Sequence, residues 1–527
     1  MILDLLMTLA TGLYRAAPFY LGVEALFYLL FHNYLVPRAN KLVPPAAFRD
    51  YGDNRSELLV RIMRRIEATC ARNQHNATTT IHQFLAEWFH VSKNEHHTNS
   101  SQEPAVSNFP DLSRTPSGSS PENSDDDDES PPSLPSPEAI LNKLNYSRPA
   151  NASAVEPSVC LYKEDIDDFF AWAFFGKHYS TLLQWEMKEL DKLYRLVKEE
   201  QNIVFPQKPI CPKRRKSEAY HMANPRCMTL EPVNAMHRPL LVYLIVGLMS
   251  ALGGIVLRLM GYRRVVASTG LAGWYRPGRT PSMSSSTYMP LLFFHGIAPS
   301  GLVLYLPMLL FGLATERERP VFLFENPSIS CCIDFYPLTE EQTVDGIVEL
   351  VEGCLGQDDQ PLSVVGHSFG SCPITWLLAC PKISKRVQQV VLLDPVAIGL
   401  SEPDVMVNFL YAQEWNTIRV VASSELFTEC YLRRHFAWYN SELWLQDLQE
   451  QHRLLVCLSE QDEILNAHKV QQELERHASS VPPAQQPTTV YWKGVGHGDC
   501  ISSPPKWKQI KRLMLQQELD VLQRTKR

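Results

Sequence analysis

Ser368, Asp462 and His497 are the residues of this 527-residue chain whose types and settings suit chemistry done together. Ser368 stands in Gly366-His367-Ser368-Phe369-Gly370, directly after the apolar run Leu362-Ser363-Val364-Val365. A buried strand running into Gly-x-Ser-x-Gly places a serine on a sharp strand-to-helix turn, where the glycines let neighbouring backbone pass close. A helix-length segment, Cys372 to Lys382, follows it. A serine hydroxyl is a poor nucleophile until an imidazole takes its proton, and a carboxylate must fix the imidazole's tautomer. Both partners occur downstream. The strand-like run His452 to Leu458 leads to Asp462, and Thr488 to Trp492 leads to His497. Attack on an acyl carbon also creates a negative oxygen that needs donors. Met289 to Phe294 reads as another buried strand and ends in His295-Gly296-Ile297. A strand-end His-Gly turn aims one backbone N–H at such an oxyanion, and the residue after the nucleophile supplies a second. The predicted donors are the amides of Ile297 and Phe369.

The chain order Ser368, Asp462, His497 is that of α/β-hydrolases rather than of the other folds carrying this constellation. From about Gly261 to the C-terminus the sequence resembles an α/β-hydrolase-fold serine hydrolase of the lipase/esterase kind. That resemblance implies a mostly parallel sheet with helices on both faces and a helical lid. Asp165-Ile166-Asp167-Asp168-Phe169-Phe170-Ala171-Trp172-Ala173-Phe174 and His237-Arg238-Pro239-Leu240-Leu241 are similar to a poorly characterised group of membrane-anchored fungal and algal α/β-hydrolases. Asp394, in Leu392-Leu393-Asp394-Pro395, is the alternative acid, since some relatives place theirs after this strand. Asp462 is preferred on its spacing before His497, and Asp394 is then expected to cap a turn ahead of Pro395. Asp499 is too close to His497 in sequence to orient it. His367 and Cys372 are expected to be packed side chains. A serine at position 368 excludes the dehalogenase-like and epoxide-hydrolase-like chemistries, which need a carboxylate nucleophile.

The elements that position these residues follow from patterning. Residues 261–527 form the hydrolase region, with a lid at about 399–451 rich in large apolar groups such as Phe409, Trp438 and Trp444. Pro239 to Leu257 carries no charged side chain, and its nineteen residues, at about 1.5 Å each, nearly match a bilayer core of about 30 Å. A transmembrane helix is expected over 238–260. Residues 1–40 are apolar but interrupted by Arg15, Pro18 and Glu24, and read as a second membrane anchor. Between the two lie helical segments at 41–97 and 158–237. Leu59, Ile62, Met63 and Ile66 recur at helical spacing, as do Leu183, Met187, Leu190, Tyr194 and Val197. Residues 98–157, with Asp125 to Glu129, are Ser-, Pro- and Asp-rich and read as a disordered linker. In the last helix, Trp507, Ile510, Leu513, Met514 and Val521 form the apolar stripe.

Composition narrows the partners. The net charge of −7 gives nucleic acid no attraction. The twelve cysteines show no C-x-x-C pair, so neither a metal site nor any cofactor is expected. Five N-x-Ser/Thr triplets, from Asn54 to Asn151, fall between the two apolar segments and hint at a lumenal region. The partners expected are a hydrophobic acyl ester and a lipid bilayer, at the endoplasmic reticulum or another endomembrane. The expectation is a membrane-anchored serine hydrolase. Acyl transfer or thioester cleavage would use the same residues, and a catalytically silent scaffold of the same fold is the competing class.

Overall fold

The computed structural model describes residues 18–46, 55–73, 84–92, 161–201, 203–207, 222–279, 288–356, 360–412 and 418–525. The linker expected at 98–157, the first seventeen residues of the anchor, Trp415 and the five Asn triplets lie outside them. In the N-terminal half the elements are α1 (Pro18–Ala39), α2 (Arg55–Asn73), β1 (Phe89–Ser92), α3 (Lys163–Phe175), α4 (Gln184–Gln201) and β2 (Met222–Pro225). Strands β1 and β2 pair antiparallel as a separate small sheet. Helix α5 (Leu240–Leu259) then leads directly into β3 (Arg263–Val266), β4 (Ala272–Arg276) and β5 (Leu291–Phe294). Next come α6 (Gly301–Leu313), β6 (Val321–Phe324), α7 (Glu340–Leu355), β7 (Leu362–His367), α8 (Ser371–Ala379) and β8 (Val387–Leu393). The chain closes with α9 (Pro403–Leu410), α10 (Leu426–Arg434), β9 (Arg453–Ser459), α11 (Ala467–Ser480), β10 (Thr488–Trp492) and α12 (Pro504–Thr525).

Eight strands form one sheet in the order β10-β9-β8-β7-β5-β6-β4-β3. Every neighbour from β6 through β10 pairs parallel, whereas β4 runs antiparallel to both β3 and β6. Parallel strands joined by helical crossovers are buried on both faces, and their side chains alternate between the two. Leu292, Phe294, Val364, Val390 and Leu392 pack on the face covered by α7, α8 and α11. Leu291, Phe293, Val365, Val391 and Leu393 pack on the opposite face, under α6 and α12. This is the α/β-hydrolase architecture. The expected strands at 289–294, 362–365, 387–393, 452–458 and 488–492 all correspond to strands of this sheet, the last of them, β10, at its edge. Strands β3, β4 and β6, four or five residues long, were not among the expected strands.

The N-terminal helices pack on the hydrolase body. Leu59, Ile62, Met63 and Ile66 of α2 are buried against α3, α4 and the segment between β8 and β9. The stripe expected on α4 is shifted. Leu190, Leu193 and Val197 are its buried positions, while Leu183 and Met187 face outward. The cause is Glu186, whose buried carboxylate accepts from the Leu183 amide (2.7 Å) and from Lys177 (2.7 Å), so the helix is rotated to bury that position. The segment between β8 and β9, where the lid was expected, is divided among three neighbours. Trp438, Tyr439 and Trp444 pack on α2 and α3, Leu426 and Phe427 on α1 and α5, and Tyr431 on the sheet.

Candidate active site

Ser368 follows the last residue of β7 and begins a single 3-10 turn that passes into α8. Its φ of 52° lies in the left-handed region, which costs a non-glycine residue about 1–3 kcal/mol. The surrounding packing holds the strain. A Cβ on Gly370 would stand 2.2 Å from the Phe294 carbonyl, and one on Gly366 would stand 2.5 Å from the Gly370 carbonyl. Only glycines let the turn close this tightly on the end of β5. The Ser371 hydroxyl adds a brace, donating to the Ser368 carbonyl (2.6 Å) and accepting from the Ala397 amide (3.0 Å).

The three sequence candidates meet above the carboxyl ends of β7, β9 and β10. Ser368 Oγ donates to His497 Nε2 at 2.9 Å, and His497 Nδ1 donates to Asp462 Oδ2 at 2.6 Å. The other Asp462 oxygen accepts from the amides of Ile464 (2.8 Å) and Leu465 (2.9 Å), which locks the carboxylate's plane. Burial by itself would lower the basicity of His497. The bonded Asp462 carboxylate, with Asp394 and Glu463 nearby, outweighs it and holds the imidazole above its ordinary value. An imidazole of raised basicity is a better proton acceptor for the serine.

Asp394, the alternative acid, does not bond the His497 ring. It is fully buried at the end of β8 with a φ of 44°. Its carboxylate accepts from the Ser459 amide (2.8 Å), the Ser459 hydroxyl (3.1 Å) and the Gly498 amide (3.0 Å). It therefore ties β8 to β9 and to the loop carrying His497, rather than capping a turn at Pro395. Burial pushes its carboxyl up to about 6, against opposing contributions from His497 and the Gly498 amide. Asp499 accepts from the Gly496 amide (2.8 Å) within its own loop.

The loop at the end of β5 packs on the serine. A Cβ on Gly296 would stand 2.9 Å from Ser368 Cβ, so His295-Gly296-Ile297 runs beside the nucleophile at van der Waals distance. His295 is buried and pins this loop to the end of β6, because Nδ1 donates to the Gly296 carbonyl (2.8 Å) and Nε2 accepts from the Asn326 amide (3.1 Å). Phe369 is buried against Tyr431 and Phe436 of the β8–β9 segment, with ring centroids 5.7 and 5.5 Å away. The backbone of Gly296, next to Ile297, and that of Phe369 thus both adjoin Ser368.

Two contributors were not visible in the sequence. Glu463 accepts from the His497 backbone N–H at 2.9 Å and so fixes the loop as well as the ring. Tyr305 accepts from the Gly296 amide (3.0 Å) and donates to His367 Nδ1 (2.9 Å). His367 is buried, with its Nε2 3.9 Å from Asp394 and its ring 5.2 Å from that of His497. Burial, then the neighbouring His497 and His295, hold His367 far below the ordinary imidazole value, so it stays neutral. The adjacent Asp462-Glu463 pair offered no signal for Glu463, and Tyr305 lies outside every motif.

Metal donors also converge here: His367, Asp394 and Cys500 form one cluster, and Asp394, Asp462 and His497 another, each within 4.8 Å. Asp394, Asp462 and His497 are committed to the hydrogen bonds above, whereas His367 Nε2 has no hydrogen-bond partner among the described residues. Burial raises the Cys500 thiol far above its ordinary value, and a protonated thiol is a poor ligand. The arrangement is organised for proton transfer at Ser368.

Sheet and site together define an α/β-hydrolase-fold protein with a serine–histidine–aspartate constellation. No family model matches the chain. Among curated proteins it is similar to a Caenorhabditis elegans protein described as "Probable protein phosphatase methylesterase 1", with 30% identity over 83 residues. That alignment covers 16% of this chain and 23% of the relative. Among solved structures it is similar to an esterase of Rhizomucor miehei (16% identity, 49% of this chain and 82% of that one, TM-score 0.36). It is also similar to a carboxylesterase of Bacillus subtilis (13% identity, 52% and 98%, TM-score 0.35). An esterase of Pyrobaculum calidifontis gives 14% identity, 53% and 92%, with a TM-score of 0.36. The assignment of the fold rests on the sheet itself.

Proposed function

We propose that the protein is a membrane-attached serine hydrolase that cleaves a carboxylic ester of a lipid or another hydrophobic acyl compound. The observation that carries this reading is the hydrogen-bonded line from Ser368 through His497 to Asp462, with the serine in left-handed backbone at the end of β7. In this reading Ser368 Oγ attacks the carbonyl carbon as His497 Nε2 takes its proton. The amides of Ile297 and Phe369 hold the oxyanion. His497 then returns the proton to the leaving alcohol, and a water, activated by the same imidazole, releases the acid and restores the serine. Asp462 stabilises the imidazolium in both halves. The aromatic wall of Phe369, Tyr431 and Phe436 favours an apolar acyl group. Two long apolar helices, α1 and α5, support membrane attachment, and an endomembrane is the compartment proposed.

The test is active-site labelling. A fluorophosphonate probe is expected to label the detergent-solubilised protein, and Ser368→Ala to abolish labelling without loss of fold. A folded wild-type protein that stays unlabelled would overturn the reading in favour of a silent scaffold. Comparing cellular lipids between wild type and Ser368→Ala would then identify the ester.

A further inference from the structure

Helix α5 is long and apolar enough to cross a bilayer, yet both of its ends belong to one folded body. Just before it, Thr229 and Glu231 accept through their carbonyls from the Arg434 guanidinium (2.8 and 2.6 Å), and the Met236 amide donates to the Ser424 carbonyl (2.9 Å). Just after it, β3 joins the eight-stranded sheet. Along its length one stripe lies on the hydrolase. Tyr243 Oη donates to Glu425 (3.0 Å), Met249 Sδ receives the Ser300 hydroxyl (3.7 Å), and Cβ atoms on Gly253 and Gly254 would stand 2.7 Å from Val303 and 3.2 Å from Trp274. Helix α1 is held the same way. Glu24 accepts from the Leu240 amide (2.9 Å) at the start of α5, and the Ala39 carbonyl accepts from Arg434 (3.2 Å). A helix of 20 residues is about 30 Å long, which matches the hydrocarbon core. Were α5 to cross, Glu425, hydrogen-bonded to Tyr243 of α5, would be carried into the membrane with α10, the helix it caps. Charges at that depth are costly.

Building on the membrane-attached hydrolase reading, we infer that the protein is monotopic: α1 and α5 lie flat in the interface of one leaflet, and neither crosses it. The outward stripe of α5 supports this, since Leu244, Leu248 and Leu252 are each more than half exposed while the opposite stripe is buried. The occupant of that face is the acyl layer of a lipid bilayer. Leu304, one residue past the Val303 that meets Gly253, extends the face beside the Ile297 loop. Val420 and Val421 extend it beside Arg238, which donates to the Val421 carbonyl (3.4 Å). An amphipathic element seated in this way opens the site to esters arriving from within the leaflet.

The experiment uses the full-length protein in sealed vesicles, with one epitope tag ahead of Met1, one inserted in 98–157 and one after Arg527. The monotopic arrangement predicts that external protease gives all three tags the same fate, either cleaved or protected, and that the protein sediments with vesicles in high salt. Opposite fates would overturn the inference and leave a membrane-spanning hydrolase standing. Recovery in the supernatant would overturn it together with membrane attachment. Fluorophosphonate labelling of the same fractions reports separately on whether the hydrolase reading survives.

Discussion

At the scale of single residues, two acidic groups near one imidazole have been given different work by their hydrogen bonds. Asp462 faces His497 Nδ1 at 2.6 Å, whereas Asp394 spends its oxygens on Ser459 and Gly498. Asp462→Asn is expected to lower kcat by about 10⁴, through the wrong tautomer and an unstabilised imidazolium. Asp394→Asn should cost far less. The pH profile separates them further. His497 acts as a base only when neutral, and its basicity is held above the ordinary imidazole value of about 6.5. Activity should therefore fall as pH drops through a midpoint above that value. Asp394 contributes negative charge that raises His497, so Asp394→Asn is expected to move the acid limb to lower pH. An unshifted limb in kcat/KM measurements would show that Asp394 does not act on His497.

At the scale of elements, the site is assembled from strand ends, and the loops between them need mutual support. The loop after β5 carries the Ile297 amide, and the Tyr305 hydroxyl from α6 holds it through the Gly296 amide. Tyr305→Phe leaves that buried donor unpaired, at about 1–3 kcal/mol. Stability by urea unfolding should fall by that amount. Because the loop beside the oxyanion loosens, kcat should fall about tenfold or more with little change in KM, given that one such donor is worth about 10²–10³. A variant that loses stability but keeps kcat would place Tyr305 in packing alone. His367, buried and neutral, accepts the Tyr305 hydrogen and so fixes that hydroxyl's direction.

At the scale of the whole molecule, the N-terminal helices and the β8–β9 segment act as one layer over the hydrolase. The Arg65 guanidinium of α2, stacked 4.2 Å above the Trp444 ring, is bonded to the Glu442 carboxylate, and both side chains are buried. Glu442 also accepts from the Ser401 amide (3.0 Å) and hydroxyl (3.1 Å). Removing Glu442 leaves the buried Arg65 charge to a more distant carboxylate, Glu473 at 3.9 Å, so Glu442→Leu alone should destabilise by about 3 kcal/mol, the lower end for a broken buried pair. Arg65→Met combined with Glu442→Leu should recover most of that in thermal unfolding, because a well-packed apolar replacement is close to neutral. If the double variant is no better than the single, the pair's hydrogen bonds to Ser401 matter more than its charge balance.

What the sequence determined by itself was which residues could act together and their order along the chain. Gly366-x-Ser368-x-Gly370 after an apolar strand, with Asp462 and His497 each on a later strand's loop, is legible because backbone strain and parallel-strand burial leave local marks. The apolar run from Pro239 to Leu257 was equally plain, whereas the N-terminal one was blurred by Arg15, Pro18 and Glu24. The sequence favoured Asp462 over Asp394; tertiary structure alone decided what Asp394 bonds instead, that Glu463, Tyr305 and His367 brace the loops, and that α5 is flanked by a body rather than isolated. Those facts depend on contacts between residues far apart in sequence, such as the 180 positions and more between α5 and the β8–β9 segment. A one-dimensional pattern carries hydrophobic length, but the direction in which a helix's two faces are covered exists only once the chain has folded around it.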